Sequence, residues 1–317
     1  MIDGCAPDSE LEAVFAQLIG LDPDGSRMAA TLRRSIDMLL DGPNSGRYDW
    51  EQLHKTEKTH GGTLVEINFQ REFKFEDGEK LDYRIAGVDV DCKFSQKIHG
   101  WMIPLEAVDK LLLVVWAWDP TSRWSAGVVR AKAEYLPETG GNRDKKRYLN
   151  EAGKQAVRWL FHDKPLPENA LLHMAPDDVA AIYAKRSGQQ RLNELARRAQ
   201  GKLLTRNVVA TVATANDPKP YKDPLKRLRN NGGARTQLRA EGIIVLGQFK
   251  NHCDIARQLE LPVPGPSEFV SIRLAPRGPQ HYGAPFVEIG GQEWVAASKD
   301  DPVVEAPMLP NVGSIRE

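Results

Sequence analysis

Apolar residues recur at helical spacing over the first fifty positions. They then alternate or run continuously over the next hundred, a change of period that predicts helices followed by a sheet. Glu10 to Leu18 reads as one helix and Arg27 to Leu40 as a second, with Met28, Leu32, Ile36 and Leu39 along one face. Asp41-Gly42-Pro43-Asn44 stops it. A short helix around Trp50 to Glu57 precedes strand-like text in Thr63 to Phe69, Leu81 to Ile85 and Val88 to Phe94, with turns at Gly61-Gly62 and Glu76-Asp77-Gly78. Leu111 to Trp118 is unbroken apolar sequence bounded by charged residues and proline, which suits a central buried strand; Trp124 to Ala133 suggests another. A helix from Asn150 to Leu160 then closes an α/β unit with a mixed sheet flanked by helices.

Phe161 to Asn169, with two prolines among polar residues, reads as a linker between domains 1–160 and 170–317. Beyond it the pattern turns mainly helical: Ala175 to Ala184, Gln189 to Gln200, Thr205 to Ala215, Asp223 to Asn231 and Ala234 to Arg239, with Ile243 to Phe249 as a strand. The end of the chain, with Pro302, Pro307 and Pro310, reads as irregular or extended.

A chain of 317 residues exceeds the usual size of one core, in keeping with two domains. No apolar stretch is long enough for a membrane span and the N-terminus lacks signal-peptide order, so a cytoplasmic protein without membrane partners is expected. Cys5, Cys92 and Cys253 are widely spaced and suggest neither a zinc site nor a redox pair. The formal net charge is zero, yet it is unevenly spread. From Lys185 to Lys250 there are 15 Lys/Arg against 4 Asp/Glu, while Asn251 to Glu317 has 5 against 9. A block of this kind suits a phosphate backbone, although solvated helix faces are built the same way.

Candidate chemistry concentrates in Leu81 to Phe94. On a strand, Asp89, Asp91 and Lys93 share one face while Val88, Val90 and Cys92 take the other. Carboxylates crowded on one face repel unless a cation lies between them, and oxygen ligands of this kind suit Mg2+. Phosphodiester hydrolysis uses such a set: the ion polarises the phosphate and a nearby lysine orients or deprotonates water.

These residues resemble the PD-(D/E)xK nucleases, with Asp82 matching the first acid and Asp91-Cys92-Lys93 the triplet; Leu81 stands where the motif name has proline. The resemblance gives Glu66, on the preceding strand, the place of an additional upstream acid, and ranks Asp89 as supporting. Over its whole length the chain resembles the type II (type IIE) restriction endonucleases of the NaeI family. That likeness implies a homodimeric, Mg2+-dependent enzyme in which Asp82, Asp91 and the Cys92 carbonyl hold metal, Lys93 activates water and Glu66 assists. It also implies double-stranded DNA as substrate at the palindrome GCCGGC and as effector at a second site.

In the C-terminal half, Leu192, Leu195, Ala196 and Ala199 form one apolar stripe and Val208, Val209 and Val212 another, as in a helix-turn-helix with a long turn. Thr205 caps the second helix, placing Arg206 and Asn207 where base edges are read, with Arg197, Arg198 and Lys202 toward phosphates. Lys226, Arg227, Arg229, Arg235 and Arg239 supply a second basic pair of helices. The resemblance implies a catabolite-activator-like domain. A non-enzymatic DNA-binding regulator and a topoisomerase- or ligase-like protein are the rival readings. Leu39-Leu40-Asp41-Gly42 looks like a ligase adenylation motif with leucine in place of the nucleophilic lysine, and no Gly-rich phosphate loop is present, so ATP use is not expected. Tyr48, Tyr83, Tyr135, Tyr148, Tyr183, Tyr221 and Tyr282 lie in no nucleophile motif, and His252-Cys253 reads as a structural pair.

Overall fold

A computed structural model describes residues 8–137, 146–215, 223–229 and 232–310; Cys5, Tyr221 and Asn231 lie outside them. The chain runs through α1 (Ser9–Leu21), α2 (Ser26–Leu40), α3 (Gly42–Ser45), α4 (Lys55–Phe73), β1 (Glu76–Asp77), β2 (Tyr83–Ile85), β3 (Val88–Ser95), β4 (Leu111–Trp118) and β5 (Arg123–Arg130). There follow α5 (Glu151–Gln155), β6 (Arg158–Pro165), α6 (Pro176–Tyr183), α7 (Gly188–Arg198), α8 (Arg206–Thr214), α9 (Lys226–Arg229) and α10 (Ala234–Gln237). The last elements are β7 (Ile243–Gly247), α11 (Lys250–Gln258), β8 (Phe269–Pro276), β9 (Phe286–Ile289) and β10 (Gln292–Ala296). They form two compact units, Met1–Leu39 with Trp50–Glu168 and Leu40–Asp49 with Asn169–Glu317.

The first unit is built on a six-stranded sheet in the order β1-β2-β3-β4-β5-β6, with β3 and β4 parallel and the other pairs antiparallel. The apolar run of β4 occupies the centre, where Leu111 to Val115 are buried on both faces. Helix α1 packs on β5 and β6, and α4 packs on β3. Three polar contacts involve α2. Asn68 on α4 donates to Ser35 Oγ on α2 at 3.0 Å, and buried Arg33 on α2 pairs with Asp119 at 2.5 Å and Asp37 at 2.8 Å. Removing one member of that buried pair would strand the other charge, which is why such pairs fix register more than they add stability.

Four expectations fail in this unit. Thr63 to Phe69 is not a strand but the middle of α4, so Glu66 stands on a helix. Its β-branched residues read locally as strand, whereas Gly61, Val65, Phe69 and Phe73 repeat every fourth position and all are buried. Gly61 is therefore no turn: a Cβ there would lie 2.8 Å from the Trp50 ring. The helix expected from Asn150 to Leu160 ends at Gln155, and Arg158–Pro165 pairs with β5 as an edge strand. Part of the expected linker is thus sheet, its Pro165 at a strand end where no ladder donor is needed.

The second unit packs α6 to α10 around a core that includes Leu192, Leu195, Val209, Val212 and Leu228. Helix α3 packs on α8, and Gly42 touches it so closely that a Cβ would collide with Thr211 Oγ1. The Asp41-Gly42 turn is thereby explained by packing. Beside the helices, the expected strand within Ile243 to Phe249 is present as β7, but it belongs to an antiparallel sheet in the order β7-β8-β10-β9 whose other strands the sequence pattern does not predict, and α11 packs against it. Pro276 ends β8 and Pro285 precedes β9, while residues 302–310, with Pro302, Pro307 and Pro310, carry no regular element, as expected. Among the described residues no helix is long and apolar enough to cross a membrane.

Candidate active site

Strand β3 enters the sheet between β2 and β4, so alternation sets its side chains on two faces. Asp91 is buried and Lys93 half-buried, and the Lys93 ammonium donates to Asp91 Oδ1 at 2.6 Å and to the Cys92 carbonyl at 3.0 Å. Asp82, immediately before β2, accepts from the Cys92 backbone N–H through Oδ2 at 2.7 Å, and the same oxygen lies 3.9 Å from Lys93 Nζ. One strand pairing therefore brings together an acid and a lysine that are eleven positions apart.

Glu66 reaches the group from α4. The Tyr83 hydroxyl donates to the Glu66 backbone carbonyl at 2.7 Å, tying that helix turn to β2. Tyr83 is fully buried, its phenol held above its usual range by burial, so it is a positioning residue and not a nucleophile. Sequence reasoning missed it, although a large aromatic next to the first acid on a short strand was a usable signal. Asp89 is drawn away: its carboxylate accepts from the backbone N–H groups of Glu79 and Lys80 at 3.0 and 3.1 Å and closes the turn before β2.

The electrostatics reflect crowding. Burial, then the charge of Asp82, raises the Glu66 carboxyl to about 7. Burial, opposed by Lys93 and reinforced by Asp82, raises Asp91 to about 7 as well. For Lys93, burial favours the neutral amine, but Asp91 and Asp82 outweigh it and hold the ammonium above its ordinary value. Burial pushes the Cys92 thiol upward, so that residue offers its carbonyl and not a thiolate.

Fit to a metal ion can be judged from the donors. No group of three His, Cys, Asp or Glu side chains among the described residues forms a ready cage. Asp91 Oδ2, however, is buried with no hydrogen-bond partner, beside Asp82 and the Cys92 carbonyl. Two carboxylates and a carbonyl, with the remaining positions left to water and phosphate, are the sparse oxygen set that a small hard divalent cation accepts.

The basic residues of the second unit are placed less uniformly. Arg197 forms a two-pronged pair with Glu241 at 2.7 and 2.8 Å and also meets Glu194. Arg198 meets Glu194 at 2.6 Å and Asp178 at 2.5 Å. Arg227 donates to the Ala213 carbonyl, Arg229 pairs with Asp223, and Arg239 is held by Glu305 and the Ala306 carbonyl. Arg235 points inward to the Val245 carbonyl at 2.9 Å. Arg206 and Lys226 are exposed, and Lys202 and Asn207 half-exposed. Thr205 caps α8 through the Val208 N–H, while the connection from Ala199 to Thr205 pairs Leu204 with Phe269.

Asp82, Asp91 and Lys93 thus converge on one mixed sheet, with Glu66 on a flanking helix, and the relationships of the chain make it a type II site-specific endonuclease. Residues 12–305 match the restriction endonuclease NaeI family, and the chain belongs to it. It is 47% identical over 314 residues to the type II restriction enzyme NaeI of Lentzea aerocolonigenes, covering 96% of this chain and 95% of that one.

Proposed function

We propose that the protein is a homodimeric, Mg2+-dependent endonuclease that hydrolyses double-stranded DNA at GCCGGC, with catalysis in the first unit and DNA binding in the second. The observation that carries the catalytic reading is the convergence of Asp82, Asp91 and Lys93, with one buried Asp91 oxygen left without a partner. Asp82, Asp91 and the Cys92 carbonyl would hold the ion. When bound, it supplies Lewis acidity at the scissile phosphate and lowers the pKa of water. Lys93, held as an ammonium, donates hydrogen bonds that orient the attacking water and offset phosphate charge, which makes it a poor proton acceptor at neutral pH. Glu66, with its carboxyl near 7, is matched to accept the proton as the water oxygen bonds to phosphorus and one P–O ester bond breaks.

For the second unit, Arg206 and Asn207 at the capped start of α8 support a helix-turn-helix reader of catabolite-activator type, with Lys202 and Lys226 toward phosphates. The family resemblance adds activation by a second DNA duplex bound there. Plasmid cleavage with Mg2+, with Ca2+ and with chelator tests the catalytic reading: Mg2+ supports cutting, and Ca2+ supports binding alone. Cutting in the presence of chelator would overturn it. For the effector, cognate oligonucleotide accelerates single-turnover cutting of a one-site plasmid; pure competition at every concentration overturns that part.

A further inference from the structure

A second set of unmet polar groups lies where β7 leads into α11. His252, in the first turn of α11, is 1% exposed. Its Nδ1 accepts from the Gly247 N–H at 3.2 Å, which assigns the ring proton to Nε2, and Nε2 has no partner. Arg235 uses Nε on the Val245 carbonyl, while its buried Nη2 has no partner either. Both side chains flank Gly247, where a Cβ would stand 3.5 Å from Arg235 Nη2. No side chain caps α11, so the amides of its first turn add unsatisfied donors at the positive end of the helix dipole.

Among the described residues no acid offsets the charge of Arg235. Burial, then the cation of Arg229, lowers Arg235 to about 10; burial, then Arg235, lowers His252 to about 4. One guanidinium nitrogen and one imidazole N–H enclosed without an acceptor are costly to bury, and an anion within reach of both would satisfy them. We propose that Arg235, His252 and the N-terminus of α11, all within the second unit, bind a tetrahedral oxyanion of the phosphate class. Enclosure of Nη2 and Nε2 favours a compact group, and Gln248 and Lys250, neighbours in the chain, are exposed. Free phosphate and one phosphodiester of a DNA backbone share this chemistry. The free-phosphate case requires neither DNA binding nor cleavage, so it stands or falls apart from the function proposed above.

The test uses the full chain in sodium phosphate and in sodium chloride at equal ionic strength and pH. At roughly ten times Kd, phosphate raises Tm by about 3 °C over chloride. H252N keeps an acceptor for the Gly247 N–H and deletes the outer donor, so the rise is lost; H252Q restores a donor and keeps it. R235K retains charge but not the fork and reduces the rise, which carries the test should H252N not fold. If phosphate has no specific effect but H252N weakens duplex affinity about tenfold while H252Q does not, the occupant is a backbone phosphodiester. A phosphate rise that persists in both H252N and R235K overturns the site, as does no phosphate effect together with equal duplex affinity in H252N and H252Q.

Discussion

The strand carrying Asp91 and Lys93 and the basic run from Lys185 to Lys250 are both dense in charge, yet the fold treats them oppositely. Around β3, burial and the neighbouring Asp82 raise Asp91 and Glu66 to about 7, and one Asp91 oxygen has no hydrogen-bond partner. On α7, Arg197 and Arg198 are answered by acids: Glu241 meets Arg197, Asp178 meets Arg198, and Glu194 of the same helix meets both. Charge counted along a chain measures supply, and only partners in space determine what is available for a ligand. The shortage of partners marks a site better than the number of charges does.

The largest effect is expected from removing groups on β3. Lys93→Ala and Asp91→Ala should each lower single-turnover cleavage by about 10²- to 10⁴-fold, with duplex binding in Ca2+ largely retained. Near-normal cutting by either variant would remove β3 from the chemistry. Such an outcome would also dissolve the contrast with α7.

A second test exploits the raised carboxyls. In metal-free protein, Asp91 and Glu66 bind protons more tightly folded than unfolded, so the stability they confer is present below about pH 4 and lost as pH rises through about 7. Thermal unfolding from pH 5 to 8 should therefore show a decline that D91N reduces and saturating Mg2+ reverses. A profile indifferent to D91N would mean that the crowding is relieved in solution.

The smallest effects separate paired arginines from exposed cations. Replacing Lys202, Arg206 and Lys226 should flatten the log-log salt dependence of DNA affinity by about 0.9 for each phosphate that is no longer neutralised. Arg197→Ala should leave that slope near its wild-type value and instead destabilise the protein by under about 1 kcal/mol, since its pairs are partly solvated. Equal slope changes in the two sets would show that the pairs open on binding.

Local pattern alone was enough for α1, α2, β3, β4, α7 and the Thr205 cap, because each is written in periodicity or in a capping residue. It also determined the Asp91-Cys92-Lys93 face, since alternation on a strand needs no distant information. Tertiary structure decided the rest. The helical state of Thr63 to Phe69 follows from burying Gly61, Val65, Phe69 and Phe73, which overrides β-branched propensity. The approach of Glu66 through the Tyr83 hydroxyl, the diversion of Asp89 to a turn and the pairing of Arg197 with Glu241 all join residues distant in the sequence. No local pattern encodes such contacts, because they exist only after the elements have packed.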